Sequence, residues 1–127
     1  MAKTPQELHQ ALADAFNSHD IERVLATYEH EGAIVAESGD VATGVEQLRQ
    51  TLAGFLAIPG RLHVETLHAV TVGDLALARS RWKIQDAGEI KIQASGAELM
   101  RRQPNGSWRF VVDHPFGGEP LKSAKGG

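Results

Sequence analysis

The segment RLHVETLHAVTVGDLALARSRWKIQDAGEIKIQASGAELMRRQPNGSWRFVVDH, residues 61–114, decides the fold of this chain. Apolar residues recur in it at every second position over long stretches, which is the period of a half-buried β-strand. Short turns rich in Gly, Asp and Asn interrupt the pattern, so neighbouring strands are expected to pair antiparallel. The segment predicts four strands: one that begins at Arg61, followed by Leu75–Gln85, Glu89–Arg102 and Ser107–His114.

Three segments ahead of these strands have the spacing of amphipathic helices. Thr4-Pro5-Gln6-Glu7 is a capping box with proline at the first helical position, and it predicts a helix that runs to about Phe16. Asp20 is expected to cap a second, short helix that ends at Tyr28. A second capping box, Thr43-Gly44-Val45-Glu46, predicts a third helix that ends before a Pro-Gly pair.

A short apolar run between the second and third helices, Ala33–Glu37, predicts one further strand. Three helices followed by strands joined through hairpins predict an α+β fold, in which a curved antiparallel sheet carries the helices on its concave face. The length and hydrophobic content match one domain, expected over residues 1–117. The polar residues 118–127 are expected to form a mobile C-terminal tail.

The composition argues against several classes of partner and cofactor. The net charge is −3 and the basic residues are scattered, so neither nucleic acid nor an anionic membrane is expected as the main partner. The chain has no cysteine, no signal peptide and no apolar run long enough to span a membrane, and a cytoplasmic location is expected. His63 and Glu65 share a strand face, but nothing completes a metal site, and no phosphate-binding glycine loop occurs. The prediction is therefore a protein without metal or cofactor.

Several short motifs occur in an order and spacing that are fairly specific. They are Phe16-Asn17-Ser18-His19-Asp20, Tyr28 ahead of Ala33-Ile34-Val35, Gly44, Asn105-Gly106-Ser107-Trp108-Arg109-Phe110, and Asp113-His114-Pro115-Phe116-Gly117. In these motifs the chain resembles the nuclear transport factor 2-like superfamily, and within it the ketosteroid isomerase and SnoaL-like polyketide cyclase relatives. The resemblance implies a cone-shaped, cystatin-like α+β roll around an apolar pocket, and a homodimer formed through the outer face of the sheet.

The resemblance also implies candidate acid–base residues. A ketosteroid isomerase has a carboxylate base just after the first strand, which corresponds to Glu37, and a protonated carboxylic acid on a later strand, which corresponds to Glu98. Two carboxyl groups beside an apolar cavity allow one to accept a proton while the other donates. Either glutamate can instead be an exposed strand or turn residue. The isomerase tyrosines correspond to Leu12 and Leu52, so steroid isomerisation by the same constellation is not expected.

Strand alternation adds candidate pocket residues. His114 shares a face with Trp108 and Phe110, which makes it an acid, a base or a ligand donor at the pocket, or else a half-buried histidine that closes the last strand. A bulge in that strand would bring Asp113 into the cavity in its place. The residues expected to contact the substrate are Tyr28, Phe16, Trp82, Met100, Phe110 and Asp113.

Two functions of different classes agree with these features. The first is a cofactor-independent enzyme of the isomerase, cyclase or dehydratase type, which acts on a small apolar carbonyl compound with Glu37, Glu98 and His114 as its acid–base groups. The second is a non-catalytic module that binds a small molecule or associates as a homodimer through the sheet face. Convergence of the three candidate groups on one cavity would favour the enzyme.

Overall fold

The structure, a computed structural model, describes residues 1–120 and has the expected α+β architecture. The helices are α1 (Pro5–Asn17), α2 (Ile21–Leu25) and α3 (Gly44–Leu56). The strands are β1 (Tyr28–Val35), β2 (Val41–Thr43), β3 (Arg61–Val72), β4 (Leu75–Asp86), β5 (Glu89–Arg102) and β6 (Trp108–His114). They form one curved sheet in the order β2-β1-β6-β5-β4-β3.

The sheet is antiparallel except at one pair of strands. The strands β4, β5 and β6 each pair antiparallel with the strand before them in the chain, as the turns predicted. The first strand, β1, lies beside the last and runs parallel to it, with Tyr28 opposite Phe110 and Ala33 opposite Val112. This parallel pair brings Tyr28, at the start of β1, beside Phe110 of β6, and the pocket described below is formed there.

The helices begin where the sequence places them, although one cap differs in detail. Thr4 Oγ1 accepts a hydrogen bond from the backbone N–H of Glu7 (3.1 Å), and Asp20 caps α2 through its side chain. At α3, Thr43 makes no side-chain cap; its backbone N–H donates to Gln47 Oε1 at 2.9 Å instead. The second capping box is therefore wrong in its acceptor, which is Gln47 and not Glu46, while the start of the helix is confirmed.

Tyr28 lies in a strand and does not end the second helix. The helix α2 stops at Leu25, and Ala26 is its C-terminal cap. The chain then turns into β1, which begins at Tyr28 and is longer than the predicted strand. The backbone N–H of Phe110 donates to the Thr27 carbonyl at 2.8 Å, so pairing with β6 fixes the strand up to this point. A pairing partner 83 positions away is not visible in the local sequence pattern.

A shift of register in β3 separates a buried half of the strand from an exposed half. Thr66 pairs with Ser80 and His68 pairs with Arg79, so Leu67 is an extra residue in β3. Leu62, ahead of the shift, is buried, whereas Val72, beyond it, is 74% exposed. The extra residue therefore turns the second half of β3, so that Val70 and Val72 face solvent and not the core.

The core lies between the concave face of the sheet and the helices α1 and α3. Leu8 and Phe16 of α1 and Leu48 and Leu52 of α3 are buried against the sheet. None of the helices in residues 1–120 is long and apolar enough to cross a membrane.

The first residues of the predicted tail contact the sheet. The backbone N–H of Gly118 donates to the Ser95 carbonyl (2.9 Å), and the backbone N–H of Ser95 donates to Glu119 Oε2 (2.5 Å). These bonds place Gly118 and Glu119 along β5. The rest of the tail prediction, from residue 121 onward, lies outside the described residues.

Candidate functional site

The concave face of the sheet and the two long helices line a mainly apolar, partly open cavity of about 60 Å³. Five of its lining residues carry polar groups: His9, Tyr28, Ser80, Glu98 and Asp113. The apolar part of the wall is formed by Leu12, Phe16, Ile34, Leu52, Phe55, Leu62, Val64, Trp82, Ile84, Phe110 and Pro115. A few polar groups in an apolar cavity are typical of a small-molecule site, where they orient the ligand.

Tyr28 and Asp113 form a buried hydrogen bond at this pocket. The Tyr28 hydroxyl donates to Asp113 Oδ2 at 2.5 Å, and both residues are buried. The strands β1 and β6 are neighbours, which brings the two side chains together from positions 85 residues apart. The second carboxyl oxygen of Asp113, Oδ1, has no hydrogen-bond partner among residues 1–120. It is the pocket group left open to a ligand.

Burial raises the pKa of Asp113 to about 7, and the nearby charge of Glu98 acts in the same direction. The hydrogen bond from Tyr28 and the proximity of His9 partly oppose this rise in the pKa. The pKa of Tyr28 lies well above its usual value, because the ring is buried and Asp113 is next to it. Tyr28 therefore remains a neutral O–H donor, while Asp113 can gain or lose a proton near neutral pH.

Glu98 is held by two polar side chains. The Ser80 hydroxyl donates to Glu98 Oε2 at 2.7 Å, and His9 Nε2 lies 2.7 Å from Glu98 Oε1. The other ring nitrogen of His9, Nδ1, lies 2.5 Å from Thr66 Oγ1. Glu98 and Asp113 are opposite each other on β5 and β6, so both carboxyl groups project from the same face of the sheet.

Gly96 leaves the space that the Glu98 carboxyl group occupies. A Cβ atom at this position would lie 2.5 Å from Glu98 Oε2 and 2.7 Å from Ser80 Oγ. The Glu98–Ser80 hydrogen bond therefore requires a residue without a side chain here.

Most of the residues expected from the sequence lie at the pocket. The structure brings together Glu98, Tyr28, Phe16, Trp82, Phe110 and Asp113. Trp82 is held by its indole N–H, which donates to the Pro115 carbonyl at 2.7 Å, and its ring packs edge-on against Phe55 and Phe116. The pocket wall therefore combines β4 with the segment that follows β6.

Three expected residues lie elsewhere. Glu37 is exposed in the turn between β1 and β2, because the chain reverses at Ala36–Gly39 and directs this side chain into solvent. Met100 is fully buried in the core but does not line the cavity. The third residue, His114, is displaced by an irregularity in β6.

A bulge in β6 reverses the expected alternation near its end. Leu99 pairs with Val112 and Met100 pairs with Phe110, so Val111 is an extra residue. Phe110 and Asp113 consequently share the inner side, and His114 is turned away from the cavity. Its ring packs against Gly117, and its buried Nδ1 has no hydrogen-bond partner in the described part of the chain. The alternative that a bulge exchanges His114 for Asp113 is the one that the structure adopts.

Sequence reasoning missed His9 as a pocket residue. It lies on α1 three residues before Leu12 and seven before Phe16, which is the spacing of one helix face, and both of those residues line the cavity. This spacing could have indicated that His9 faces inward. Among residues 1–120, no group of three or more His, Asp or Glu side chains is arranged to hold a metal ion.

Comparison with known proteins identifies similar sequences and folds. A family model described as SnoaL-like domain matches residues 9–113. A comparison with curated proteins finds no match for this sequence.

Three solved structures illustrate the likeness in fold. A protein from Thiobacillus denitrificans, described as a calcium/calmodulin-dependent protein kinase type II association domain, is 19% identical, with a TM-score of 0.76 over 96% of this chain and 98% of that chain. A ketosteroid isomerase-like protein from Erwinia carotovora atroseptica is 24% identical (TM-score 0.62; 86% and 92% covered). A protein from Streptomyces avermitilis, described as a dehydratase from the NTF2-like family, is 17% identical (TM-score 0.70; 91% and 92% covered). At these identities the likeness shows the fold alone.

Proposed function

Because this chain belongs to the SnoaL-like domain family, we propose that it is a cofactor-independent acid–base enzyme of the isomerase, cyclase or dehydratase type that acts on a small apolar carbonyl compound. The observation that carries the proposal is the buried Tyr28–Asp113 pair at the edge of an apolar cavity. Two of the fold relatives are described as ketosteroid isomerase-like and as a dehydratase, and both names belong to acid–base chemistry.

Asp113 is the group that exchanges the proton in this proposal. With its pKa at about 7, both forms of the carboxyl group are populated at neutral pH, which suits a general acid or base. Tyr28 occupies Oδ2 and thereby leaves Oδ1 to take a proton from a carbon next to the carbonyl. This assigns to Asp113 the role that the sequence suggested for Glu37 and His114.

Glu98 is the second acid–base group. It faces Asp113 across the β5–β6 pair and is oriented by Ser80 and His9. If the carbonyl oxygen of the substrate lies next to Glu98, its α-carbon lies near Asp113, because the two carboxyl groups share one cavity. Proton transfer between these positions needs acid and base groups only, and the two carboxyl groups supply both.

The size of the cavity restricts the substrate. At roughly 10–15 Å³ for each water-sized group, a cavity of about 60 Å³ accommodates about four to six such groups. A short or single-ring ketone or enone matches this space, whereas a steroid would need the walls to move. We therefore use a small cyclic ketone as the probe.

The test is exchange of the α-hydrogens of cyclopentanone for deuterium in D2O, followed by proton NMR. The wild-type protein is expected to accelerate the exchange over buffer, and D113N to lower that acceleration about 100-fold or more. E37Q is the control, because Glu37 is exposed and remote from the cavity. If the wild type has no effect on cyclopentanone, or if D113N equals the wild type, Asp113 is not the proposed base.

A second candidate function, a homodimeric association module, is favoured by an exposed apolar patch on the outer sheet face. We define the outer patch as Val70, Val72, Leu75 and Leu77, which are 42–74% exposed. Val70 pairs with Leu77 and Val72 pairs with Leu75, so the four side chains are contiguous. The fold relative from Thiobacillus denitrificans is described as an association domain. We propose that a second copy of this chain covers the patch, because an exposed apolar patch can bury itself against the same patch of a second copy about a two-fold axis.

A further inference from the structure

We infer that Glu98, His9 and Thr66 form a proton relay that connects the buried pocket with a separate groove at the start of α1. The relay gives the two inner carboxyl groups a route for proton exchange with solvent. Its purpose rests on the proposed acid–base function, but its geometry and its test require no substrate.

The relay consists of two hydrogen bonds through one imidazole ring. His9 is only 2% exposed, and both of its ring nitrogens are bonded. Nε2 lies 2.7 Å from Glu98 Oε1 on the pocket side, and Nδ1 lies 2.5 Å from Thr66 Oγ1 on the other side. Because the two nitrogens are on opposite sides of the ring, a proton gained at one can be matched by a proton lost at the other.

The inner end of the relay is the pocket itself. Glu98 lines the cavity, lies opposite Asp113 on the neighbouring strand, and receives a hydrogen bond from Ser80 at its second oxygen. A proton on Glu98 Oε1 is therefore in direct contact with His9, and a proton from Asp113 enters the relay by way of Glu98. Tyr28, the other partner in the pocket, bonds Asp113 and has no further side-chain hydrogen bond within residues 1–120.

The outer end is Thr66, which is only partly buried. It lies where the register of β3 shifts, next to the extra residue Leu67. It also lines a second cavity of about 340 Å³ between the first turn of α1 and β3, together with Thr4, Pro5, Gln6, Leu67, His68, Ala69 and Thr71. This groove is large enough for many water molecules, and the relay requires that one of them accepts a proton from the Thr66 hydroxyl.

The proton balance closes without any other reactant. In one state the Glu98 carboxyl O–H donates to Nε2, Nδ1–H donates to Thr66 Oγ1, and the Thr66 hydroxyl donates to water. In the other state Nε2–H donates to the Glu98 carboxylate, the Thr66 hydroxyl donates to Nδ1, and water donates to Thr66. The first state becomes the second when Glu98 gives its proton to Nε2, Nδ1 gives its proton to Oγ1, and Thr66 releases one proton to water. Every polar side-chain atom of Glu98, His9 and Thr66 has a hydrogen-bond partner in both states, which permits proton transfer in either direction.

The experiment measures exchange of the His9 ring protons with water by NMR, in the full chain labelled with 15N-histidine. T66V removes the hydroxyl and keeps the size of the side chain, T66S keeps the hydroxyl, and T71V changes a threonine of the same groove that makes no bond to His9. Exchange in T66V is expected to be slower by about tenfold or more, since it then needs local opening of the fold. T66S and T71V are expected to exchange like the wild type.

Two results would overturn the relay. One is a T66V protein whose His9 ring protons exchange as fast as those of the wild type, or a T71V protein that slows them equally. The other needs no variant: wild-type His9 ring protons that persist for minutes after transfer into D2O would exclude a connection to water. Neither result depends on cyclopentanone, so failure of the relay and failure of the proposed enzyme activity can be told apart.

Discussion

Glu98 and Asp113 lie directly opposite each other on β5 and β6, and both of these buried residues line the same cavity. Burial opposes the ionisation of Asp113, and the nearby charge of Glu98 acts in the same direction. Asp113 responds with a pKa of about 7. The polar side chains around the two carboxyl groups, Tyr28, Ser80 and His9, determine which carboxyl oxygens can accept or donate a proton.

The stability of the protein should depend on the protonation of Asp113. Its pKa is about 7 in the folded state and 3.8 for the ordinary carboxyl group, so between these values the folded protein binds the extra proton. The contribution of Asp113 to the free energy of unfolding is therefore greatest below pH 3.8 and is lost as the pH rises to 7, by about 4 kcal/mol. Urea unfolding of wild type and D113N between pH 3.8 and pH 7 measures this loss, as the pH dependence of the free energy of unfolding of each protein. Parallel curves for the two proteins would contradict the prediction.

Loss of the Tyr28 hydroxyl should raise the pKa of Asp113 further. The hydrogen bond from Tyr28 stabilises the ionised form of Asp113 and lowers its pKa. Y28F is therefore expected to titrate Asp113 above pH 7, as followed by 13C NMR of the side-chain carboxyl carbon. E37Q changes an exposed residue, so it should leave the pKa of Asp113 at its wild-type value. A lower pKa in Y28F would show that the bond favours the protonated form instead.

Two glycine-to-alanine changes should have opposite effects on stability. G96A places a methyl group against the Glu98 carboxyl and the Ser80 hydroxyl, so it should lower the free energy of unfolding by about 1–3 kcal/mol. G54A lies in α3, where a Cβ meets nothing within 4 Å, so it should raise the free energy of unfolding by about 0.5–1 kcal/mol. Urea unfolding of both variants checks the pair. A neutral G96A would mean that the glutamate moves freely at this position.

A charge in the outer patch should separate the proposed homodimer. Leu77 is 65% exposed in the patch, whereas Ile90 is 44% exposed near the β4–β5 turn and outside it. L77K buries an unpaired charge if a second copy covers the patch, so it is expected to be monomeric, while I90K should remain dimeric. Light scattering after size-exclusion chromatography measures both masses. A monomeric wild type, or dissociation of I90K to the same extent, would exclude this interface.

Local features of the sequence were sufficient for most of the fold. The Thr4-Pro5-Gln6-Glu7 box defines the start of α1, and the Gly73-Asp74 turn separates β3 from β4. These signals depend on residues that are neighbours in the chain, so the pattern alone contains them. The helix predicted for Tyr28 is wrong because its pairing with β6 is a contact between segments that are distant in the chain.

The acid–base site depended on register, which only the assembled sheet determines. One extra residue, Val111, turns Asp113 inward and His114 outward, because adjacent residues of a strand face opposite sides of the sheet. His9 contacts Glu98, which lies 89 positions away in the sequence. Glu37 is exposed to solvent because the turn that contains it is exposed. The sequence by itself therefore determined most of the elements, the fold and three residues of the apolar wall of the pocket, Phe16, Trp82 and Phe110, through local propensity and period. The tertiary structure decided which titratable groups meet there, because that choice depends on bulges and strand pairing between segments far apart in the chain.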